Sequence, residues 1–403
     1  MALEPMREDR KGVGVLDGMQ SFGLAVLLFG LPFSEAMKSI GLAIAVVGFL
    51  GKLALGARPR LGPRGTLLAL LAFYAACALS VAAAEPELRR PHELFTLAMT
   101  IVPFILVADA CARPSRKLFF ALTIVAGATL AALLAYVDHM TGSYQRTVLG
   151  SVENAIPAAE YLGAVVPLAV ALLLEEMGAP LAGPLLGLAV GSLGIVFIMT
   201  KSRGPLPAAI TGFAMAIGMS LRRWRHGLIA AAACCSAFLI FVVANPGSRA
   251  ASAMTPGRRD SESRLVTWRM TADLIAERPL LGHGLGSYPD LDVVYVDERV
   301  TIHQLNAHSA WLQVTCDSGA LGAGSLVVFL VLALGGPVRT SRRSRGLDRA
   351  VSVGALGGVV SILLAGLFSV STDAEPGILL FTLAALGSAS GVAGRPERGR
   401  AEP

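Results

Sequence analysis

The chain has 403 residues, of which 54% are hydrophobic and only 15% charged, with a net charge of +6 and a mean hydropathy of +0.64. A soluble domain carries roughly a quarter charged residues, so these totals exclude an ordinary water-soluble globular protein. They also argue against nucleic acid as the partner of the positive charge, because the arginines punctuate long apolar runs instead of forming a basic patch.

An apolar run of about 18 or more residues with few charges is a membrane-span candidate. The pattern predicts about twelve spans in a single integral membrane domain, residues 1–403. In chain order they lie near 14–33, 36–55, 65–84, 92–111, 117–138, 155–174, 179–200, 205–221, 226–245, 311–335, 350–371 and 374–393. The expected fold class is all-α and polytopic. Met1 to Lys11 is charged, and the run after it has no clear cleavage site, so the first span is expected to be retained. Several spans are rich in Gly and Ala, as expected where helices approach closely in lipid. Cys77, Cys111, Cys234 and Cys235 fall in or beside apolar runs and Cys316 follows Trp311. With no CxxC pair, they read as small buried residues and not as a disulfide framework or metal site.

Lys and Arg favour the cytoplasmic side of a membrane. With both termini inside, cytoplasmic segments hold 21 of the 34 Lys and Arg, the short outer loops six, and the loop between spans nine and ten the remaining seven. That split sets the orientation and makes residues 246–310 a periplasmic loop. The outer positive charges run against the rule. Lys201 and Arg203 emerge from the seventh span, and Arg249, Arg258, Arg259, Arg264, Arg269, Arg278 and Arg299 crowd the long loop. The planar fork of arginine suits phosphate, so these residues fit a lipid diphosphate head group or, more plainly, anionic lipid heads around a solvated loop.

Within the loop, Asp260, Ser261 and Ser263 offer N-caps for a helix over 264–278, with Arg264, Trp268, Ala272 and Ile275 on one face. Arg269 is about 140° round from Arg264, so a straight helix cannot aim both at one ligand. Pro279 to Tyr288 is a Gly-rich turn without a full GxGxxG, which leaves close packing or a backbone approach to phosphate. Next, His308, Trp311, Leu312 and Thr315 are expected on one helical face entering the tenth span. This places His308 at the water–membrane boundary, as a proton acceptor or as a surface histidine beside an interfacial tryptophan. His283 and His303 are weaker candidates. The three histidines show no metal-ligand spacing, and no metal is expected.

Three pieces together resemble the O-antigen ligase and polymerase superfamily. They are Lys201-Ser202-Arg203-Gly204; Ser263-Arg264 to Trp268 followed by Glu277 to Gly286; and Ala307-His308-Ser309-Ala310-Trp311-Leu312-Gln313 with Gly319 to Gly322. The resemblance implies a C-type (GT-C) membrane glycosyltransferase of the bacterial inner membrane, its active site facing the periplasm. It implies a glycan donor on undecaprenyl diphosphate, a lipid A-core oligosaccharide as acceptor, contacts with membrane lipids, and no cofactor or nucleic acid. By the same resemblance Arg203 and Arg264 hold the diphosphate, and His308 activates the acceptor hydroxyl in an inverting, metal-independent transfer. Lys201, Arg269 and Trp311 are further substrate-binding candidates. Relatives often carry Asn after this histidine, where this chain has Ser309.

The sequence fits an O-antigen ligase in lipopolysaccharide biosynthesis. An O-antigen or exopolysaccharide polymerase joining lipid-linked repeats is the alternative, and the absence of a large outer domain tips the choice. A transporter or flippase of an anionic lipid is the rival from another class. It would place charge within spans near the midplane, whereas the span interiors here read as nearly uncharged.

Overall fold

A computed structural model describes residues 4–142, 149, 155–200, 202, 204–221, 259–291, 293–297, 300–303, 305–370 and 375–389. It is almost entirely helical. The helices are α1 (Glu4–Gly30), α2 (Glu35–Ala54), α3 (Arg64–Ala83), α4 (His92–Ala110), α5 (Pro114–Met140), α6 (Ala155–Glu176), α7 (Ala182–Met199), α8 (Pro205–Ser220), α9 (Arg259–Glu277), α10 (Ala310–Arg343), α11 (Gly346–Ala365) and α12 (Glu375–Ser388). Among the described residues nine helices, α1 to α7, α10 and α11, are long and apolar enough to cross a membrane, and α8 and α12 are shorter apolar helices. This is a multi-pass membrane protein. The expected span at 226–245 and the stretch from 390 onward lie outside the described residues.

Without a hydrophobic drive in lipid, helices associate by close packing of small residues. Such packing joins α1 to α2. A side chain added at Gly41 would stand 2.5 Å from the backbone nitrogen of Leu27. It also joins α6, α8 and α11, where a side chain added at Gly212 would stand 2.5 Å from the Gly357 carbonyl oxygen. The main core joins α1, α4, α5, α6 and α10 through Leu28, Phe104, Phe120, Tyr161, Leu168 and Phe329.

The connections gather at two opposite ends. One end holds the 54–64, 110–114 and 343–346 connections and is rich in arginine and lysine; we call it the basic end. There Lys52 Nζ lies 3.0 Å from Asp17 and 2.5 Å from Asp109, and Asp17 also takes Arg113 at 2.9 Å and Arg116 at 2.6 Å. Asp109 accepts the Arg60 N–H at 2.8 Å. These contacts tie α1, α2, α4 and α5 together. Lys117 pairs with Asp348 at 2.6 Å, and Arg349 donates to the carbonyls of Met219, Ser220 and Ser341. The span ends are thus more charged than the hydropathy pattern implies, and the buried charges among them are held in partnerships.

The other end, the site end, carries the 83–92 and 365–375 connections and the long 259–310 segment. The helix expected at 264–278 is present as α9 but starts earlier, at Arg259. Asp260, Ser261 and Ser263 therefore sit in its first turns and not at its cap. Its buried line runs through Thr267 and Thr271, leaving Ala272 exposed. The expected stripe through Ala272 is therefore rotated. A two-stranded antiparallel ribbon, β1 (Val294–Asp297) and β2 (Val300–His303), follows, with Val294 opposite His303. The all-helical expectation contains no such ribbon. A small second core, Tyr288, Val293, Ala307 and Cys316, packs with Met270 and Leu274 of α9, so this segment has an interior of its own.

Candidate active site

The site end is organised by a break in α10. Gly319 leaves the helical conformation, with φ 63° and ψ −169°. A break frees carbonyls before it and N–H groups after it, and these need partners when buried. The Gly-rich turn supplies them. His283 N–H donates to Cys316 O at 3.0 Å and Gly284 N–H to Asp317 O at 3.0 Å. In return Pro279 O accepts from Ala320 N–H at 2.8 Å and Leu280 O from Leu321 N–H at 3.2 Å. Ser80 Oγ of α3 adds a bond to Asp317 O at 2.6 Å. Side chains cannot fit here. A Cβ on Gly282, already at φ 69°, would stand 2.5 Å from Cys316 O. Of the two roles open to this turn, close packing is the one realised.

The turn also fixes α9. The His283 ring nitrogen Nε2 bonds to Leu274 O at 2.8 Å, and Tyr288 Oη to Thr271 Oγ1 at 2.7 Å. Burial pushes the Tyr288 phenol up to about 12, so it stays neutral. His283 is thus a bracket between α9 and α10. The side chain of His303 lies outside the described residues.

His308 lies two residues before α10 and not on it, so the expected helical face of His308, Trp311, Leu312 and Thr315 does not form. Its φ is 51°, the left-handed region that residues other than glycine rarely occupy. Bonds at three neighbouring peptides hold this geometry. His308 N–H donates to Asn306 Oδ1 at 3.1 Å, Ala307 N–H to Gln313 Oε1 at 2.9 Å, and Ala310 N–H to Gly366 O and Ser369 O, each at 2.8 Å. The imidazole is half-buried. Burial first, and the Arg264 charge second, lower its pKa below the ordinary histidine value. Arg264 and His308 therefore share one electrostatic neighbourhood, and the imidazole is biased towards its neutral form.

Arg264 is half-buried and has no carboxylate partner among the described residues. The other described site-end arginines of known pairing are engaged: Arg90 with Asp290 at 2.6 Å, Arg278 with Glu85, and Arg89 Nε with Ala84 O at 2.9 Å. Arg269 is exposed. Trp268, one turn beyond Arg264, faces Phe368 with ring centroids 6.4 Å apart. Gly204 lies close enough to Phe368 that a side chain there would touch its Cβ. Lys201 and Arg203 themselves lie outside the described residues, but their neighbour Gly204 and the Arg264 helix thus meet at one residue.

Trp311 donates its indole N–H to Leu363 O at 3.2 Å and lines a cleft of about 310 Å³ between α3 and α4 on one side and α10, α11 and α12 on the other. The rim carries Arg90, Glu93, Asn306, Gln313 and Asp317, and the floor is apolar, with Phe73, Leu326, Leu330 and Phe381. Of the sequence-derived site residues, His308 lies within range of the Arg264 charge, and Trp311 lines the cleft.

Residues 188–327, roughly a third of the chain, match the protein-family model described as O-antigen ligase. Over this segment the chain is O-antigen ligase-like. The matched stretch contains α9, the Gly-rich turn, His308 and the broken part of α10, which are the parts that build the site. The match supports a likeness to the O-antigen ligase and polymerase superfamily over this segment. No curated protein matches the chain.

Sequence reasoning missed a second polar cluster at this end. Lys38 pairs with Glu375 at 2.6 Å and also with Glu35, and Ser369 donates to Glu160. Glu160 and Glu375 are both buried. The signal available was a carboxylate inside an apolar run, in Ala155-Ile-Pro-Ala-Ala-Glu160. Carboxylates there are costly and usually paired.

Proposed function

We propose that the protein is an O-antigen ligase of the bacterial inner membrane. In this reading it transfers a glycan from undecaprenyl diphosphate to the lipid A-core oligosaccharide at the periplasmic face. The observation that carries the reading is the pair Arg264 and His308. A half-buried guanidinium with no carboxylate partner among the described residues lies close enough for its charge to act on an imidazole biased towards its neutral form. The first is an anion site and the second a base, and they meet within the family-matched segment. The buried indole N–H of Trp268, one turn from Arg264, has no acceptor among the described residues and is a further donor for a diphosphate oxygen.

In this mechanism the acceptor hydroxyl gives its proton to the imidazole of His308 as its oxygen attacks the anomeric carbon. The bond from that carbon to the diphosphate oxygen breaks, and undecaprenyl diphosphate leaves with the electron pair. Arg264 and Arg203 neutralise the charge that develops on it. Attack opposite the leaving group inverts the anomeric centre. Lys201 adds positive charge beside Arg203, and the apolar floor of the cleft under Trp311 offers room for a lipid chain. The outer segment is small, which fits a glycolipid acceptor better than a protein one.

Deleting the gene and resolving the lipopolysaccharide on a gel tests the reading. Loss of every O-antigen band supports a ligase. A single-repeat rung would make the protein a polymerase instead, and an unchanged ladder would exclude both.

A further inference from the structure

His308 works from a strained backbone, and something must keep that backbone in place. The geometry points to Gln313 and Asp317 as positioning residues that hold His308 for transfer, an inference that rests on the proposed function. Gln313 lies on the first turn of α10 and Asp317 one turn further, so both face the same way. The Gln313 amide is used at both ends. Its Oε1 accepts the Ala307 N–H at 2.9 Å, and its Nε2 donates to the Asp317 carboxylate at 3.3 and 3.2 Å. Neither end can be exchanged, because a backbone N–H needs an acceptor and a carboxylate needs a donor. Asp317 Oδ2 also accepts the Gly286 N–H at 3.3 Å. The carboxylate therefore orients the amide, and the amide pins the peptide immediately before His308.

Without that pin, the Asn306 side chain and the Ala310 N–H bonds still hold the two ends of the segment, but neither of them reaches Ala307. A φ of 51° in a histidine persists only where its surroundings impose it. The line Asp317–Gln313–Ala307 is that imposition, and it starts beside the break at Gly319. The break thus does more than relieve a helix. It docks the Gly-rich turn, the turn aims Gly286 at Asp317, and Asp317 sets the amide that sets His308.

The test exchanges polarity along the line. Gln313→Glu would set a carboxylate against that of Asp317 at hydrogen-bond distance, a like-charge contact that disfavours the native arrangement above the carboxylate pKa range. Gln313→Glu combined with Asp317→Asn restores the three links named above with donor and acceptor reversed at one of them. The new carboxylate accepts from Ala307 N–H and from the new amide, whose oxygen still accepts from Gly286. Transfer is measured with purified, reconstituted protein, undecaprenyl-diphosphate-linked glycan as donor and lipid A-core as acceptor. Gln313→Glu is expected to lower kcat about 100-fold, the scale of a misplacement near 1 Å, with donor KM within about twofold. The double variant should return to within about tenfold of wild type. A bystander role would leave Gln313→Glu near wild-type turnover, which overturns the inference. So would a double variant that is folded and no better than the single one. If Gln313→Glu does not insert in the membrane, the double variant decides alone, since it must then be both folded and active. Wild-type protein that transfers nothing would defeat the proposed function itself.

Discussion

The two ends of this protein use the same residue types to opposite purpose. At the basic end the buried charges are consumed. Lys52 lies between Asp17 and Asp109, Asp17 takes two arginines as well, and Lys117 has Asp348. At the site end Arg90 and Arg278 are paired in the same way, but Arg264 has no such carboxylate among the described residues. The difference teaches how to separate architecture from chemistry in a chain rich in arginine. An arginine whose fork is already occupied holds helices together. One kept half-buried without a carboxylate fits the diphosphate site proposed above.

The sharpest way to break this comparison is to remove the positive charge at the site. Arg264→Ala should lose about 10³–10⁵-fold in transfer, the scale found for a guanidinium that stabilises a departing phosphate. Donor binding should fall with it, and Arg203→Ala should behave alike. Lys at either position should rescue poorly, because it cannot offer two parallel donors. Thermal melting of these variants should match wild type. A variant that melts early would place Arg264 with the structural arginines of the other end.

His308→Ala should cost about 10²–10⁴-fold, the range of general-base help, while donor binding is kept. The pH profile sharpens the point. The active form is the neutral imidazole, and its pKa lies below the ordinary value because of burial and then Arg264. Activity should therefore stay on its plateau as pH falls to about 6.5, the usual histidine value, and decline only below it. A half-maximal point above that value would mean that another group titrates.

At the basic end the expectation inverts. Lys52→Met leaves Asp109 buried with only the Arg60 N–H. Removing one partner of a buried ion pair typically costs about 3–5 kcal/mol. The melting temperature should drop clearly, while turnover per folded molecule stays close to wild type. Reduced turnover in the folded fraction would show that the two ends are coupled.

Much of this contrast is legible in the amino-acid sequence. Apolar runs mark spans because a lipid environment demands them over a fixed length. The family motifs bring Arg264 and His308 forward because their residue types stand out in an outer loop. The links between distant residues are not legible. Lys52 meets Asp109 and Lys38 meets Glu375 across helices, and no local pattern records such pairings. The break at Gly319 is hidden inside an apolar run, since a glycine there reads as close packing until a turn is seen docked on it. The short ribbon carries too few residues for a period-two signal to emerge. The spacing of apolar residues predicts a helix that includes His308. The chain instead starts that helix at Ala310, because the carbonyls of Gly366 and Ser369 capture its N–H.

The smallest expected effect concerns the neighbour of that histidine. Relatives often carry Asn where this chain has Ser309, and the geometry around the serine decides what the exchange would do. Ser309 occupies the N-cap of α10, yet its hydroxyl makes no capping bond. It reaches instead to Gly366 O at 3.4 Å. Asn and Ser are nearly equal at an N-cap, and the longer amide could donate to the same carbonyl. Against this, Ser309 is buried beside Gly366, so the extra atoms must find room. These terms oppose each other. Ser309→Asn should change the barrier to transfer by only about 0.5 kcal/mol, roughly a factor of two to three in rate. His308 should hardly notice, since Asn306 and Gln313 hold it from the other side. Turnover and melting temperature measured on the same preparation check this. A loss as deep as that of His308→Ala would show that Ser309, and not the Gln313 side, carries the strained turn.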